Sequence, residues 1–404
     1  MSAEQPKLNV LMCGTGEYTT GWTGAGASKS DKKIGVVGLT LFDLRRRGKV
    51  DKLGMVGVNG KKFPDIRQHL IQNIGNVYRD MDLQFDEFPK DGKVDPEAYK
   101  EAIDKLKPGD AVIIFTPDST HYKIAIYAIE RGIHVLVTKP ATQLLSHHNE
   151  LIAAAEKHKV VCFVEHHKRF DPVYSDAKAR AQTLGEFNFF SAWMSQPKSQ
   201  LETFRAWAGK DSDISVYFSC CWPSTQFHLN RAGRKIPTGT RLRKSQNCTI
   251  RHDAPTHLPS DTPKAGQQGK AWYNPFYWTA PLKAGIHTGQ HWYYMAEKAS
   301  PGYDVTVDDT GKAWYNPFYM KYSPSETGHF DGQRGYGYVS IEKFIDAVRS
   351  VNAGEIAAPE FDKHGFPTIR NTVLTTAILN AGRISLDEKR PVGIKKSGDQ
   401  WVLE

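Results

Sequence analysis

Four short segments hold the residue types that bind phosphates, polarise carbonyls and pair with carboxylates. Gly14-Thr15-Gly16-Glu17-Tyr18-Thr19 follows directly on an apolar run, Leu8–Cys13. Two glycines so spaced allow a tight turn and bring backbone N–H groups close to a pyrophosphate. Gly14, Thr15, Gly16, Glu17 and Tyr18 are therefore candidate dinucleotide contacts, although Thr19 stands where this fingerprint carries a third Gly or Ala. A second run, Leu53–Val58, leads into Asn59-Gly60-Lys61-Lys62. A dinucleotide lacking a 2′-phosphate meets an Asp or Glu at such a position. Asn59, Lys61 and Lys62 suit a phosphate better, so NADP is expected over NAD; the alternative is a solvated basic turn.

Thr116-Pro117-Asp118-Ser119-Thr120-His121 closes a third run, and His134–Lys139 delivers Lys139 just ahead of Pro140. Thr116, Pro117 and His121 thus join the candidate cofactor contacts. Lys139 is a candidate for both cofactor binding and catalysis, because a partly desolvated ammonium at a strand's carboxyl end can give a proton to a carbonyl oxygen that receives hydride. The last segment, Glu165-His166-His167-Lys168-Arg169-Phe170-Asp171-Pro172, sets four basic or titratable side chains in a row. His166, His167, Lys168 and Arg169 are candidate contacts for a carboxylate or polyol. In an extended chain, alternation places His166 and Lys168 on one side and His167 and Arg169 on the other.

The elements that must hold these groups are strands buried on both faces. Leu8–Cys13, Leu53–Val58, Ala111–Pro117, His134–Lys139 and Val160–His166 are rich in Val and Ile and do not alternate strictly, as in a parallel sheet. Helices are expected between them, at about Ile34–Arg46, from Ala98 after Asp95-Pro96, from Ser119 or Thr120 up to Gly132, and from Ser146. The expected class is α/β: an N-terminal Rossmann domain with a doubly wound parallel sheet over residues 1–166. Beyond it, 167–404 is expected to form an α+β substrate domain with an open, mostly antiparallel sheet, closed by helices at Ser340–Val351 and Asn371–Leu386.

Apolar residues make up 40% of the 404 and charged residues 24%, which excludes a disordered or collagen-like chain. No apolar run approaches the roughly 20 residues of a membrane span, and Met1–Asn9 lacks a signal peptide's apolar stretch, so a cytoplasmic location is expected. Five cysteines without paired spacing point to neither a disulfide framework nor a zinc site. The net charge of +9 is uneven: residues 231–268 hold eight Lys/Arg against Asp253 and Asp261, a local +6. That window has four prolines, five large apolar residues in 38 and no period, and disorder is expected across 216–270. Nucleic-acid binding is not expected, because no aromatics interleave with its basic residues. GKAWYNPFY occurs identically at Gly269–Tyr277 and Gly311–Tyr319, with no further copies to make a solenoid. The window is either a basic loop facing an acidic partner or a departure from the ancestral reading frame.

Taken together, GTGEY, TPDSTH, TKPAT and EHHKRFDP resemble the glucose–fructose oxidoreductase, inositol dehydrogenase and MocA (Gfo/Idh/MocA) family, and within it the fungal D-galacturonate reductases. Met194–Lys198, Phe204–Ser215, Trp278–Gly285 and Asn371–Val392 are similar to that subgroup as well. The resemblance implies a Rossmann domain followed by an open-sheet domain, and NADPH-dependent reduction of the aldehyde of D-galacturonate to L-galactonate. It gives Lys139 the role of catalytic lysine; Thr138 stands where most of the family has Glu. The expected partner is a small-molecule sugar acid, with a homodimer as the assembly and no membrane contact.

One departure falls after Ser212-Asp213-Ile214-Ser215, where the subgroup continues with tyrosines and then an Asn-Ser-His-His-Ile-Asp stretch facing the substrate. This chain reads Val216-Tyr217-Phe218-Ser219-Cys220-Cys221-Trp222-Pro223. Tyr217 remains a candidate proton donor, and His228 is the nearest histidine. The alternatives are a non-catalytic NADP-binding regulator, or a reductase inactivated by the altered segment 216–268.

Overall fold

The computed structural model describes residues 7–23, 26–28, 32–172, 174–175 and 319–404, and the backbone of 191–192, 272–273, 276–277 and 292–293. Six parallel strands form the central sheet: β1 Leu8–Cys13, β2 Val50–Val56, β3 Asp86–Phe88, β4 Ala111–Ile114, β5 His134–Thr138 and β6 Cys162–Glu165. Their order, β3-β2-β1-β4-β5-β6, is that of a Rossmann fold, and the direction of winding reverses between β1 and β4. The helices are α1 Glu17–Thr20, α2 Val37–Arg46, α3 Phe63–Leu70, α4 Ala98–Asp104, α5 Asp118–Ile129, α6 Leu145–His158, α7 Tyr336–Asn352 and α8 Ile369–Glu388.

Because successive strand residues point to opposite faces, each strand feeds two cores. Val10, Met12, Ala111, Ile113, Leu136 and Phe163 pack with α2, α3 and α7. Leu11, Cys13, Val112, Ile114, Val135, Val137 and Val164 pack with α4, α5 and α6. The helix that sequence reasoning assigns to the second domain therefore covers the Rossmann sheet. Ile341, Phe344, Ile345 and Val348 of α7 are at most 1% exposed within the first core, and truncating a buried phenylalanine such as Phe344 costs about 3–5 kcal/mol. Charged groups fasten the same helix: Lys49 Nζ reaches Glu342 at 2.8 Å and Asp346 at 2.7 Å, and Tyr338 donates to buried Asp43 at 2.7 Å.

One compact unit spans Met1–Pro172 and Phe318–Thr376. The free edge of β6 meets a returning segment of this unit, where Val164 N–H donates to Pro367 at 2.7 Å and Phe163 bridges Thr368. In the second unit, Val173–Pro317 with Ala377–Glu404, short antiparallel pairs join β7 Ser191–Ala192 to β9 Phe276–Tyr277 and β8 Trp272–Tyr273 to β10 Trp292–Tyr293. A hairpin of β11 Ile394–Ser397 and β12 Gln400–Leu403 lies near the C-terminus. The whole window 216–270 lies outside the described residues, Tyr217 and His228 with it. No helix among the described residues is long and apolar enough to cross a membrane.

Among the elements that escape the sequence reading are β3 and α3. β3 is three residues with one buried side chain, too short for any period, and α3 opens on Phe63-Pro64 with an N-cap that makes no side-chain hydrogen bond. Strands β4, β5 and β6 also stop earlier than expected, leaving Thr116, Pro117, Lys139 and His166 in the turns beyond the sheet.

Candidate active site at the carboxyl edge of the sheet

The turn after β1 is fixed by close backbone packing. Gly14 has φ +108°, and a Cβ there would lie 2.1 Å from the Phe115 carbonyl oxygen, so only glycine fits. Its N–H donates to Val56 at 2.8 Å, while Phe115 N–H donates to Cys13 at 2.8 Å, lacing the ends of β1, β2 and β4 together. Thr15 packs against Gly57, where a Cβ would fall 2.7 Å from the threonine methyl. Gly16 is exposed with open space where a side chain would stand. Thr19 in place of a third glycine is accommodated because the tight approach has moved along the chain. It is 1% exposed, and its carbonyl comes within 2.7 Å of where a Cβ on Gly38 would be.

The described residues of 21–36 return to this turn: Ser28 hydrogen-bonds Glu17, and Val36 N–H donates to Tyr18 at 2.7 Å. The Tyr18 ring stacks on Phe115 at 5.8 Å, and Lys32 Nζ lies 5.2 Å from Tyr18 and 5.6 Å from Tyr319. After β2, Asn59 accepts from Lys61 N–H at 3.0 Å and shapes a short 3₁₀ turn. Lys61 is exposed and Lys62 half-buried, and neither makes an ion pair with the described residues.

Beyond β4, Thr116 accepts from the Thr120 hydroxyl at 2.7 Å, and Pro117 is exposed at the head of α5. No side chain caps that helix. His121 is wholly buried, with Nδ1 2.8 Å from the Pro140 carbonyl and Nε2 2.8 Å from the Thr116 carbonyl. Lys139, half-buried, follows β5 directly and is among the charges that act on His166 at the end of β6.

Past β6 the chain does not stay extended. His167–Phe170 is a 3₁₀ turn, in which residues three apart align, so the expected alternation is replaced by a different pairing. His166 and Arg169 come together, and Arg169 N–H donates to His166 at 2.9 Å. His166 is 2% exposed; burial, then the charges of Arg169, His167, Lys139 and His148, hold its imidazole well below the usual range, so the ring is neutral. Burial alone pushes Arg169 down to about 9. Its Nη1 donates to Gly365 at 3.1 Å, whereas Nε and Nη2 are buried with no hydrogen-bond partner.

The other two residues of the run are held by carboxylates. His167 Nδ1 lies 3.0 Å from Glu165, a buried carboxylate that also accepts from Ser340 at 2.9 Å. Its ring stacks on Tyr336 at 5.5 Å. Lys168 Nζ donates to buried Asp171 at 3.0 Å and lies 4.5 Å from the Tyr336 ring. Sequence reasoning missed this aromatic and carboxylate surround; Tyr319 and Tyr336 lie too far along the chain for any local spacing to announce them.

The family model described as Gfo/Idh/MocA oxidoreductases with an NAD-binding Rossmann fold matches residues 52–166. The chain is 51% identical over 77 residues to scyllo-inositol 2-dehydrogenase (NAD(+)) of Bacillus subtilis, covering 18% of this chain and 22% of that one. Over 126 residues it is 29% identical to scyllo-inositol 2-dehydrogenase (NADP(+)) IolU of the same organism, covering 28% and 38%. It therefore spans between a fifth and two fifths of these relatives' length. The crystal structure of GenD2 from gentamicin A biosynthesis, in complex with NAD, aligns over 96% of this chain and 97% of its own with a TM-score of 0.50 at 16% identity, a likeness of fold.

Proposed function

We propose, from the premise that the Rossmann unit of this chain belongs to the Gfo/Idh/MocA oxidoreductase family, that the protein is an NADP-dependent reductase of the aldehyde of a hexuronate. D-Galacturonate is the substrate in this reading and L-galactonate the product.

The residues present fit a dinucleotide. Gly14 leaves a backbone cradle that a side chain would fill, Gly16 faces open space, and Asn59, Lys61 and Lys62 offer two ammonium groups to a 2′-phosphate. Thr116, Pro117 and Lys139 stand at the nicotinamide end, beyond the point where the winding reverses. The bound dinucleotide supplies a hydride to the carbonyl carbon. Lys139 Nζ hydrogen-bonds the carbonyl oxygen and passes it a proton as the alkoxide forms, regaining one from water after the alcohol leaves. Tyr217 is a second donor in this reading.

The observation that carries the choice of an acidic sugar is Arg169. A guanidinium buried with two nitrogens unsatisfied is costly, and no described carboxylate answers it. Both carboxylates close by in the sequence are taken, Glu165 by His167 and Asp171 by Lys168. A substrate carboxylate would satisfy Arg169 in the bidentate geometry that suits the group.

Following NADPH consumption with D-galacturonate beside D-galactose, its neutral counterpart, tests this reading. Turnover of the acid alone is expected, and equal turnover of both sugars removes Arg169 from substrate recognition. Tight NADPH binding with no turnover of either sugar makes the protein a dinucleotide-binding regulator or an inactivated reductase.

A further inference from the structure

The paired backbone of β4 and β5 ends at Ile114↔Val137. The two turns that follow carry Thr116 and Pro117 on one side and Lys139 and Pro140 on the other. The buried side chain of His121 reaches both. His121 lies in the first turn of α5, where helical side chains lean back toward the N-terminus, and this aims the ring beneath both turns. It is 0% exposed, and its two nitrogens lie 2.8 Å from the carbonyl oxygens of Thr116 and Pro140. Neither nitrogen is turned toward a ligand; both are engaged with main chain.

We propose that His121 is the positioning residue of this edge: its ring ties the Thr116 carbonyl to the Pro140 carbonyl and so sets the separation between the Thr116-Pro117 turn and Lys139. A neutral ring donates to one carbonyl, and a ring protonated at both nitrogens donates to both. With a hydrogen on each nitrogen, the imidazole bridges the two carbonyl acceptors from opposite ends of one ring. Its influence on Lys139 passes through one peptide unit. A displacement there of the order of 1 Å is enough to cost about 100-fold in rate. The inference rests on the reading of Lys139 as the proton donor.

The test uses His121→Gln, whose amide nitrogen reaches one carbonyl, and His121→Ala, which reaches none, in the full chain. With D-galacturonate, kcat is expected to fall about 10- to 100-fold in His121→Ala and less in His121→Gln. The Kd for NADPH, read by fluorescence, is expected to stay within about threefold, since the pyrophosphate turn is untouched. A readout independent of turnover is the NMR signal of Lys139 after ¹³C-dimethylation of the lysines. It should move in both variants while the signals of Lys61 and Lys62 hold.

If the protein reduces no hexuronate, the Lys139 signal still decides the positioning role. An unmoved Lys139 signal in a folded variant overturns the inference, as does a loss of NADPH affinity equal to the loss in kcat. If neither variant folds, scalar couplings across the two hydrogen bonds in the wild-type protein, from ring nitrogen to carbonyl carbon, report the bridge directly. Their absence at either carbonyl overturns it.

Discussion

At the β1–β2 corner of the sheet the candidate binding groups are backbone amides, an open glycine and two lysines, Lys61 exposed and Lys62 half-buried. At the β5–β6 corner they are buried side chains: Arg169 with two unsatisfied nitrogens, and His166 held neutral by burial and four basic neighbours. The first corner meets a charged ligand with groups that are already hydrated or rigid, so little must be stripped of water. The second holds desolvated charge in advance, where each contact is stronger and each vacancy more costly. Cofactor binding and substrate selection should therefore fail separately when the two corners are altered.

The largest expected effect is at Lys139. Lys139→Ala should lower kcat by about 100- to 10,000-fold and leave NADPH affinity nearly intact in a fluorescence titration; a variant that loses both together places Lys139 in binding alone.

Next comes the pH dependence of stability. His134 and His148 are both lowered by burial to about 4, and His166 is lowered well below the ordinary value. The unfolded chain takes up protons near pH 6.5 that these native rings refuse. Stability is therefore fully present above about 6.5 and is lost as pH falls toward about 4, by roughly 3 kcal/mol for each of His134 and His148. Thermal melts between pH 7 and pH 5 should show this fall, and His148→Gln should flatten it.

A somewhat smaller effect is expected at Arg169. Arg169→Met should raise KM for the hexuronate by on the order of 100-fold, about 2–3 kcal/mol, while Tm holds or rises because an uncompensated buried charge is gone. A fall in Tm with KM unchanged makes Arg169 a structural residue. The smallest effect belongs to the first corner. Replacing Lys61 and Lys62 by alanine should weaken NADPH about tenfold and NADH hardly at all, with each surface charge worth no more than about 1 kcal/mol. Equal weakening of both dinucleotides would contradict the assignment to a 2′-phosphate.

The contrast also explains what could be read in advance. The turn at Gly14 announced itself because steric limits on φ act within a residue or two. The long strands were readable because burial on both faces suppresses alternation, as at Val112 and Val135. Lys139 was readable from an apolar strand ending in Lys-Pro. The pairing beyond β6 was not, since the expected alternation assumed an extended chain and a 3₁₀ turn brings His166 to Arg169 instead. His121 was read as a cofactor contact, whereas both its nitrogens face main chain, one of them at Pro140, nineteen residues away. The second-domain assignment of α7 went astray because its apolar face says only that it is buried. What it is buried against is decided by Phe163 and Lys49, far away in the sequence.

That placement of α7 bears on how the chain is made. The six strands and the helices up to α6 leave the ribosome more than 170 residues before Phe344 and Ile345 do. Until then, the β5–β6 part of one side of the nascent sheet, including Leu136 and Phe163, lacks the helix that covers it. A nascent chain in that condition is a chaperone substrate and prone to aggregation. A message cut short after residue 172 would yield a product with all six strands and an apolar face left open at the β5–β6 end.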